Sequence, residues 1–265
     1  MNKLHLTRRL IPFALLTQFS AEILGDTAPN LDKDCTDPSN FADPACSLWL
    51  SVEDCKDVQP GDSCPHHPPY IKHIGEISAH SYHTVFNAIY DSCDTSKGPG
   101  HWLVVPNYPV IGVEDHAHRD PRSWKLAWDL AKDENIPTED IALAINPLPK
   151  RSKHQLHIHV GKLMDDMKSA INNNQIVPHD GHWHQVKLGN ITYYAIFDDG
   201  QFTDPFTMVS KKVGEENMAC NGIIIAGAKT GFYVLHTGGT YDSGSNSCTY
   251  SVFVEGQLNY LSRSV

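Results

Sequence analysis

The stretch Gln155-Leu156-His157-Ile158-His159-Val160 alternates polar and aliphatic residues with a period of two. In an extended strand this puts Gln155, His157 and His159 on one face and Leu156, Ile158 and Val160 on the other. The pattern constrains the chain to a sheet that packs one face on a core and presents a polar row on the other. Such a row suits nucleophilic attack on phosphorus, because neutral imidazole is a nucleophile near pH 7 and a neighbouring polar group can fix its tautomer. The same alternation also describes a half-buried strand whose two histidines are inert. Flanking context has to separate the two readings.

The flanks supply further short elements. Residues 82–89 and 101–106 read as strands separated by the turn signal Gly98-Pro99-Gly100, and residues 141–145 as an apolar strand ending at Asn146-Pro147. Residues 120–133 carry a helical stripe of Trp124, Leu126, Ala127, Leu130 and Ala131, with Pro121 suited to a first turn. Helical composition recurs over 162–174, where Leu163, Met167 and Ile171 are spaced by four, and over 202–213. Residues 183–188, 193–197, 222–226 and 231–235 read as antiparallel strands, and Gly238-Gly239 as a hairpin turn. Helices among hairpin-like strands predict the α+β class, an antiparallel sheet with packed helices.

The N-terminus reads differently. Lys3, Arg8 and Arg9 precede the apolar run 10–19, which is shorter than the roughly 20 residues of a membrane span. A cleaved signal peptide over 1–25 is the first reading and an uncleaved anchor the second. Five of the seven cysteines, Cys35, Cys46, Cys55, Cys64 and Cys93, crowd the first third, without the paired C-x-x-C of a zinc knuckle. Their spacing suggests Cys35 to Cys46, Cys55 to Cys64 and, farther on, Cys220 to Cys248, as in an exported, secreted or periplasmic protein. Residues 26–70 then form a disulfide-rich lead-in with one short helix over 47–54, and 71–265 the catalytic domain. A formal charge of -10 excludes a nucleic-acid backbone as partner, since that needs clustered lysine and arginine.

Other chemistries have weaker footing. Three H-x-H pairs, His116/His118, His157/His159 and His182/His184, invite a zinc hydrolase. His116 and His118, however, sit in a charged stretch that reads as a solvated loop, and His182 and His184 follow Asp180-Gly181 at a loop or strand edge. No H-E-x-x-H helix, G-x-S-x-G elbow or P-loop occurs in the chain. No metal or other cofactor is expected.

Asn146, followed by a loop and Ser152-x-x-Gln155-Leu156-His157-Ile158-His159-Val160, resembles the histidine triad superfamily of nucleotide hydrolases and transferases. More closely, Leu143-Ala144-Ile145-Asn146 with Arg151-Ser152-x-x-Gln155-Leu156-His157-Ile158-His159 resembles the CDP-diacylglycerol pyrophosphatase family. Trp102-Leu103-Val104-Val105-Pro106, residues 124–131 and Asp204-Pro205-Phe206-Thr207-Met208 extend the resemblance over about residues 45–240. Gln155 stands where most triad proteins carry their first histidine.

The resemblance implies a histidine-triad-like fold and hydrolysis of CDP-diacylglycerol to CMP and phosphatidate. In it His157 is the nucleophile that forms a nucleotidyl-imidazole. His159 would bond the nonbridging oxygens or assist the leaving group, and Gln155 would orient phosphate oxygens without titrating. Ser152, Asn146 and Arg151 would be substrate-binding: Ser152 on the leaving phosphate, Asn146 or its backbone holding the reacting His157 in one tautomer. The strand 102–106 would wall the nucleotide pocket, and a lipid substrate would bring contact with a membrane surface. Two alternatives stay open: hydrolysis of another nucleotide diphosphate, and a secreted nucleotide-binding protein without catalysis.

Overall fold

Short strands from residue 71 onwards assemble one large antiparallel sheet and a separate two-stranded ribbon. The computed structural model describes residues 35–53, 71–77, 80–88, 100–172, 178–200, 204–245, 247–252, 254, 256 and 258–259. The expected signal segment, Cys93 and the expected Cys55 to Cys64 bridge lie outside the described residues. The strands are β1 (Ile71–Ile77), β2 (His80–Ala88), β3 (Gly100–Pro106), β4 (Ile141–Ile145), β5 (Ile158–Leu163), β6 (His184–Leu188), β7 (Ile191–Asp198), β8 (Ile223–Ala228), β9 (Gly231–His236), β10 (Tyr241–Asp242), β11 (Ser247–Cys248) and β12 (Leu258–Asn259). Nine follow one another in the order β1-β2-β3-β5-β4-β8-β9-β7-β6, β12 pairs with β5, and β10 and β11 form a separate ribbon. Every pairing is antiparallel. The class is α+β, as the sequence predicts.

The register assigns each face. Leu103 pairs with His159 and His159 with Ala144, while Trp102 pairs with Val160 and Val160 with Leu143. Trp102, Leu143, Ile158 and Val160 therefore share the core with α2 (Ser123–Asp133) and α4 (Pro205–Val213), which contribute Trp124, Ala127, Trp128, Ala131, Phe206 and Val209. Ala144, Leu163, Ile224 and Leu235 face the opposite core with Met167 and Ile171 of α3 (Asp165–Asn172) and with Val254 and Leu258. Helices on both faces explain why all five residues of β4 are buried and why it reads as an unbroken apolar run. α1 (Ser47–Glu53) lays Leu48 on Leu103 and Val105, so it covers β3 on the histidine side.

Two disulfides match the expected spacing. Cys35 joins Cys46 at the foot of α1, and Cys220 joins Cys248, tying the β10–β11 ribbon to the turn before β8. No helix among the described residues is long and apolar enough to cross a membrane.

Several boundaries differ from the sequence expectation, for tertiary reasons. β5 begins at Ile158 rather than taking in Gln155 and His157. The preceding residues are drawn to other partners: the His154 amide donates to Ala45 O and the Leu156 amide to Val110 O. β5 also runs through Lys162 and Leu163, expected to be helical, because β12 pairs with both. α2 starts at Ser123, since Asp120 O accepts both the amide and the hydroxyl of Ser123 and holds Pro121 in the preceding turn. Gly238-Gly239 makes no hairpin; it connects β9 to β10, which pair with other strands. β1 lacks any counterpart in the expected elements.

Candidate active site

His159 leaves β5 toward the α3 face, and His157, at the entry of that strand, follows it. Their rings meet edge to face with centroids 4.7 Å apart. Both are buried, His157 at 7% exposure and His159 at 2%. Nδ1 of His157 lies 2.7 Å from the Gln155 carbonyl oxygen. A carbonyl only accepts, so Nδ1 carries the proton and Nε2 presents its lone pair. Burial above all, with the charges of Arg151 and Lys153, depresses the His157 pKa to about 4, and the bond to Gln155 only partly opposes this. The imidazole is therefore neutral at pH 7, with the tautomer a nucleophile needs.

Asn146, expected to hold the reacting His157, instead meets the second histidine, and the Gln155 carbonyl takes the part expected of it at His157. Asn146, just beyond β4, accepts the Val254 amide at its Oδ1 and places its Nδ2 3.4 Å from Nε2 of His159. Since Oδ1 is committed as acceptor, Nδ2 donates and Nε2 of His159 accepts. Thus His157 presents an acceptor Nε2, while Nε2 of the adjacent His159 is engaged by Asn146.

Gln155 serves the backbone. Its Nε2 donates to Pro106 O and Tyr108 O, each at 2.9 Å, and its Oε1 lies 3.5 Å from the Val110 amide. Both amide hydrogens are thereby used to fasten the loop 107–122 to the motif. That loop also folds on itself, with Asp115 Oδ2 accepting from the Ile111 amide and Tyr108 donating to His118 O. Its charged residues reach outward to the site and the core: Arg119 grips both oxygens of Glu215, and Glu114 binds the buried Arg151 at 2.7 Å. Gly112 leaves room for that pair, because a Cβ there would stand 1.6 Å from Arg151 Nη1. Ser152 is exposed. Lys153 reaches Ser47 of α1 at 2.8 Å, and partial burial lowers its pKa.

The motif and its flanking Asn146 and Arg151 thus converge, whereas the other histidine pairs do not join them. His116 and His182 are exposed, and His184 pairs with Asp180. Among the described residues no three histidine, cysteine, aspartate or glutamate side chains gather as a metal-binding set. The face of β3 beside the histidines is capped by α1 through Leu103 and Val105, while Trp102 and Val104 point into the opposite core.

A family model for CDP-diacylglycerol pyrophosphatase matches residues 86–250. The chain belongs to this family. As a CDP-diacylglycerol pyrophosphatase family member it is a hydrolase of a phosphoanhydride bond. The family match spans β3, the loop 107–122, β4, the motif and α4. Two supports of the site fall outside it: Ala45, which receives the His154 amide, and Val254, which holds Asn146. Glu114, Gly112, Val110 and Val254 escape sequence reasoning because each acts at long range through a backbone group, a missing Cβ or a charge in a loop. A carboxylate and a glycine two residues apart in a loop after a strand were the only available signal.

Proposed function

We propose that the protein splits CDP-diacylglycerol into CMP and phosphatidate through a nucleotide covalently held on His157. The observation that carries this reading is the Nδ1 bond to Gln155 O, which leaves Nε2 of a neutral imidazole free to attack. In the first step Nε2 forms a bond to the α-phosphorus, the bridging P–O bond breaks, and its electron pair leaves with phosphatidate. Water then attacks the same phosphorus, the N–P bond breaks, and CMP departs. Dividing one displacement into two lowers each barrier. His159, beside His157 and oriented by Asn146, stabilises charge on the phosphoryl oxygens. Asn146 and Gln155 act as positioning residues, and the exposed Ser152 meets the leaving phosphate.

A lipid substrate requires approach to a membrane surface. Phe41, Ile111 and Tyr250 are the exposed large hydrophobics among the described residues. Each lies on a segment hydrogen-bonded to the motif or to Asn146, through Ala45, Val110 and Val254 respectively, which supports such contact around the site. The two disulfides support an exported protein working outside the cytoplasm.

The test is CMP release from CDP-diacylglycerol by wild type and His157→Ala, together with trapping of protein incubated with substrate labelled in its CMP moiety and denatured in alkali, because a phosphorus–nitrogen bond is acid-labile. Turnover should fall by orders of magnitude in the variant, and label should be found on wild type alone. Retained turnover in His157→Ala would sink the mechanism; label absent from wild type, with substrate bound but uncleaved, would mark a binding protein.

A further inference from the structure

Arg151 is almost fully buried, its side chain 4% exposed, yet only one of its three nitrogens is paired. Nη1 meets the two oxygens of Glu114 at 2.7 and 2.9 Å. Nε and Nη2 have no hydrogen-bond partner among the described residues. Those two nitrogens make the side-on edge of the guanidinium, whose parallel N–H groups match two oxygens of one phosphate. Donors left unmet on a buried cation are costly, so a fold retains them where a ligand completes them. Arg119 shows the finished arrangement, with Nη1 on Val113 O and Nη2 shared by both oxygens of Glu215.

Three further features fix the group in place. Gly112 clears the space that the guanidinium fills. Glu114 occupies Nη1 and so confines donation to the Nε–Nη2 edge. Arg151 is also close enough to His157 for its charge to be felt there.

We propose that the Nε–Nη2 edge of Arg151 seats the leaving phosphate, so that the site selects substrates with a second phosphate beyond the one attacked. The proposal rests on the reading of His157 as nucleophile. When the bridging P–O bond breaks, its electron pair stays with the departing phosphate, and the added negative charge falls on oxygens held by the two N–H groups. Lysine at this position would keep the charge and lose the parallel pair of donors.

The experiment compares two substrates: a CDP-alcohol, and the nitrophenyl ester of CMP, which offers the same phosphorus with a leaving group that has no phosphate. In Arg151→Lys the ratio of kcat/KM for the CDP-alcohol to that for the ester should fall roughly tenfold to a hundredfold, the equivalent of a lost charged hydrogen bond. Gly112→Ala, which crowds the guanidinium without altering its charge, should lower the same ratio. Wild-type protein supplies a measurement independent of variant folding: glycerol 3-phosphate should inhibit ester hydrolysis competitively, and glycerol should not. An unchanged ratio, an equal fall on both substrates, or equal indifference to glycerol 3-phosphate and glycerol would overturn the assignment. Wild type inert toward both substrates would instead refute the nucleophile reading, and the phosphate seat with it.

Discussion

Replacing Gln155 by Leu separates a positioning residue from one that touches substrate. Gln155 is 2% exposed, and its Nε2 satisfies Pro106 O and Tyr108 O at 2.9 Å each. Leucine nearly fills the volume but offers no donor, so both carbonyls lose a partner. A buried group left unsatisfied costs about 1–3 kcal/mol. The Pro106 carbonyl is fully buried and stands at the upper end, whereas the Tyr108 carbonyl is only partly buried and stands at the lower end. The 3.5 Å contact from Val110 adds little. Against this, burying an aliphatic side chain in place of an amide returns about 1 kcal/mol. The net expectation is a loss of about 2–4 kcal/mol of unfolding free energy, read as a lower urea midpoint at unchanged slope. CMP release should fall as well, because the Leu156 amide bond to Val110 O depends on the same loop. Stability within about 0.5 kcal/mol of wild type, combined with lost turnover, would refute the reasoning, since only a residue devoted to substrate behaves that way.

Two further outcomes follow from buried groups elsewhere. His157 and His236 are both held at about 4, against an ordinary 6.5, chiefly by burial. Between those values the unfolded chain binds more protons than the folded one, so their stabilising contribution is complete above pH 6.5 and is lost as pH falls toward 4. Urea midpoints that stay flat from pH 7 to about 4.5 would contradict this. The Cys220 to Cys248 bridge closes a separation of 28 residues, for which chain entropy predicts about 3.5 kcal/mol. Thermal unfolding of the double variant Cys220→Ser, Cys248→Ser should show a loss of that order, and a shift below about 1 kcal/mol would mean that the ribbon is held by its packing.

Much of this molecule is legible from local pattern. The runs at β4, β8 and β9 are apolar because both faces of the central sheet are covered, and an unbroken run of that length is visible in one dimension. The stripe of Trp124, Ala127 and Ala131 points at its core from any helical wheel. His157, His159, Asn146 and Arg151 stand close enough along the chain to be recognised together. The role of Gln155 was not legible: its partners lie 45 to 49 residues away, and a backbone carbonyl has no sequence signature. The same holds for the start of β5, where period two predicts a strand from Gln155 but bonds to Ala45 and Val110 hold the chain off the ladder.

The amino-acid order by itself determined the α+β class, most strands of the central sheet with its helices, and the identity of the histidines, and its cysteine spacing suggested the two described disulfides, because alternation, spacing and residue chemistry are local properties. Only the tertiary structure decided the histidines' protonation and partners. Burial leaves His157 neutral, a carbonyl two residues back assigns its free nitrogen, and a distant valine amide turns Asn146 toward His159. Those effects depend on which groups are brought together and how much water is removed around them, and neither quantity is written in a linear pattern.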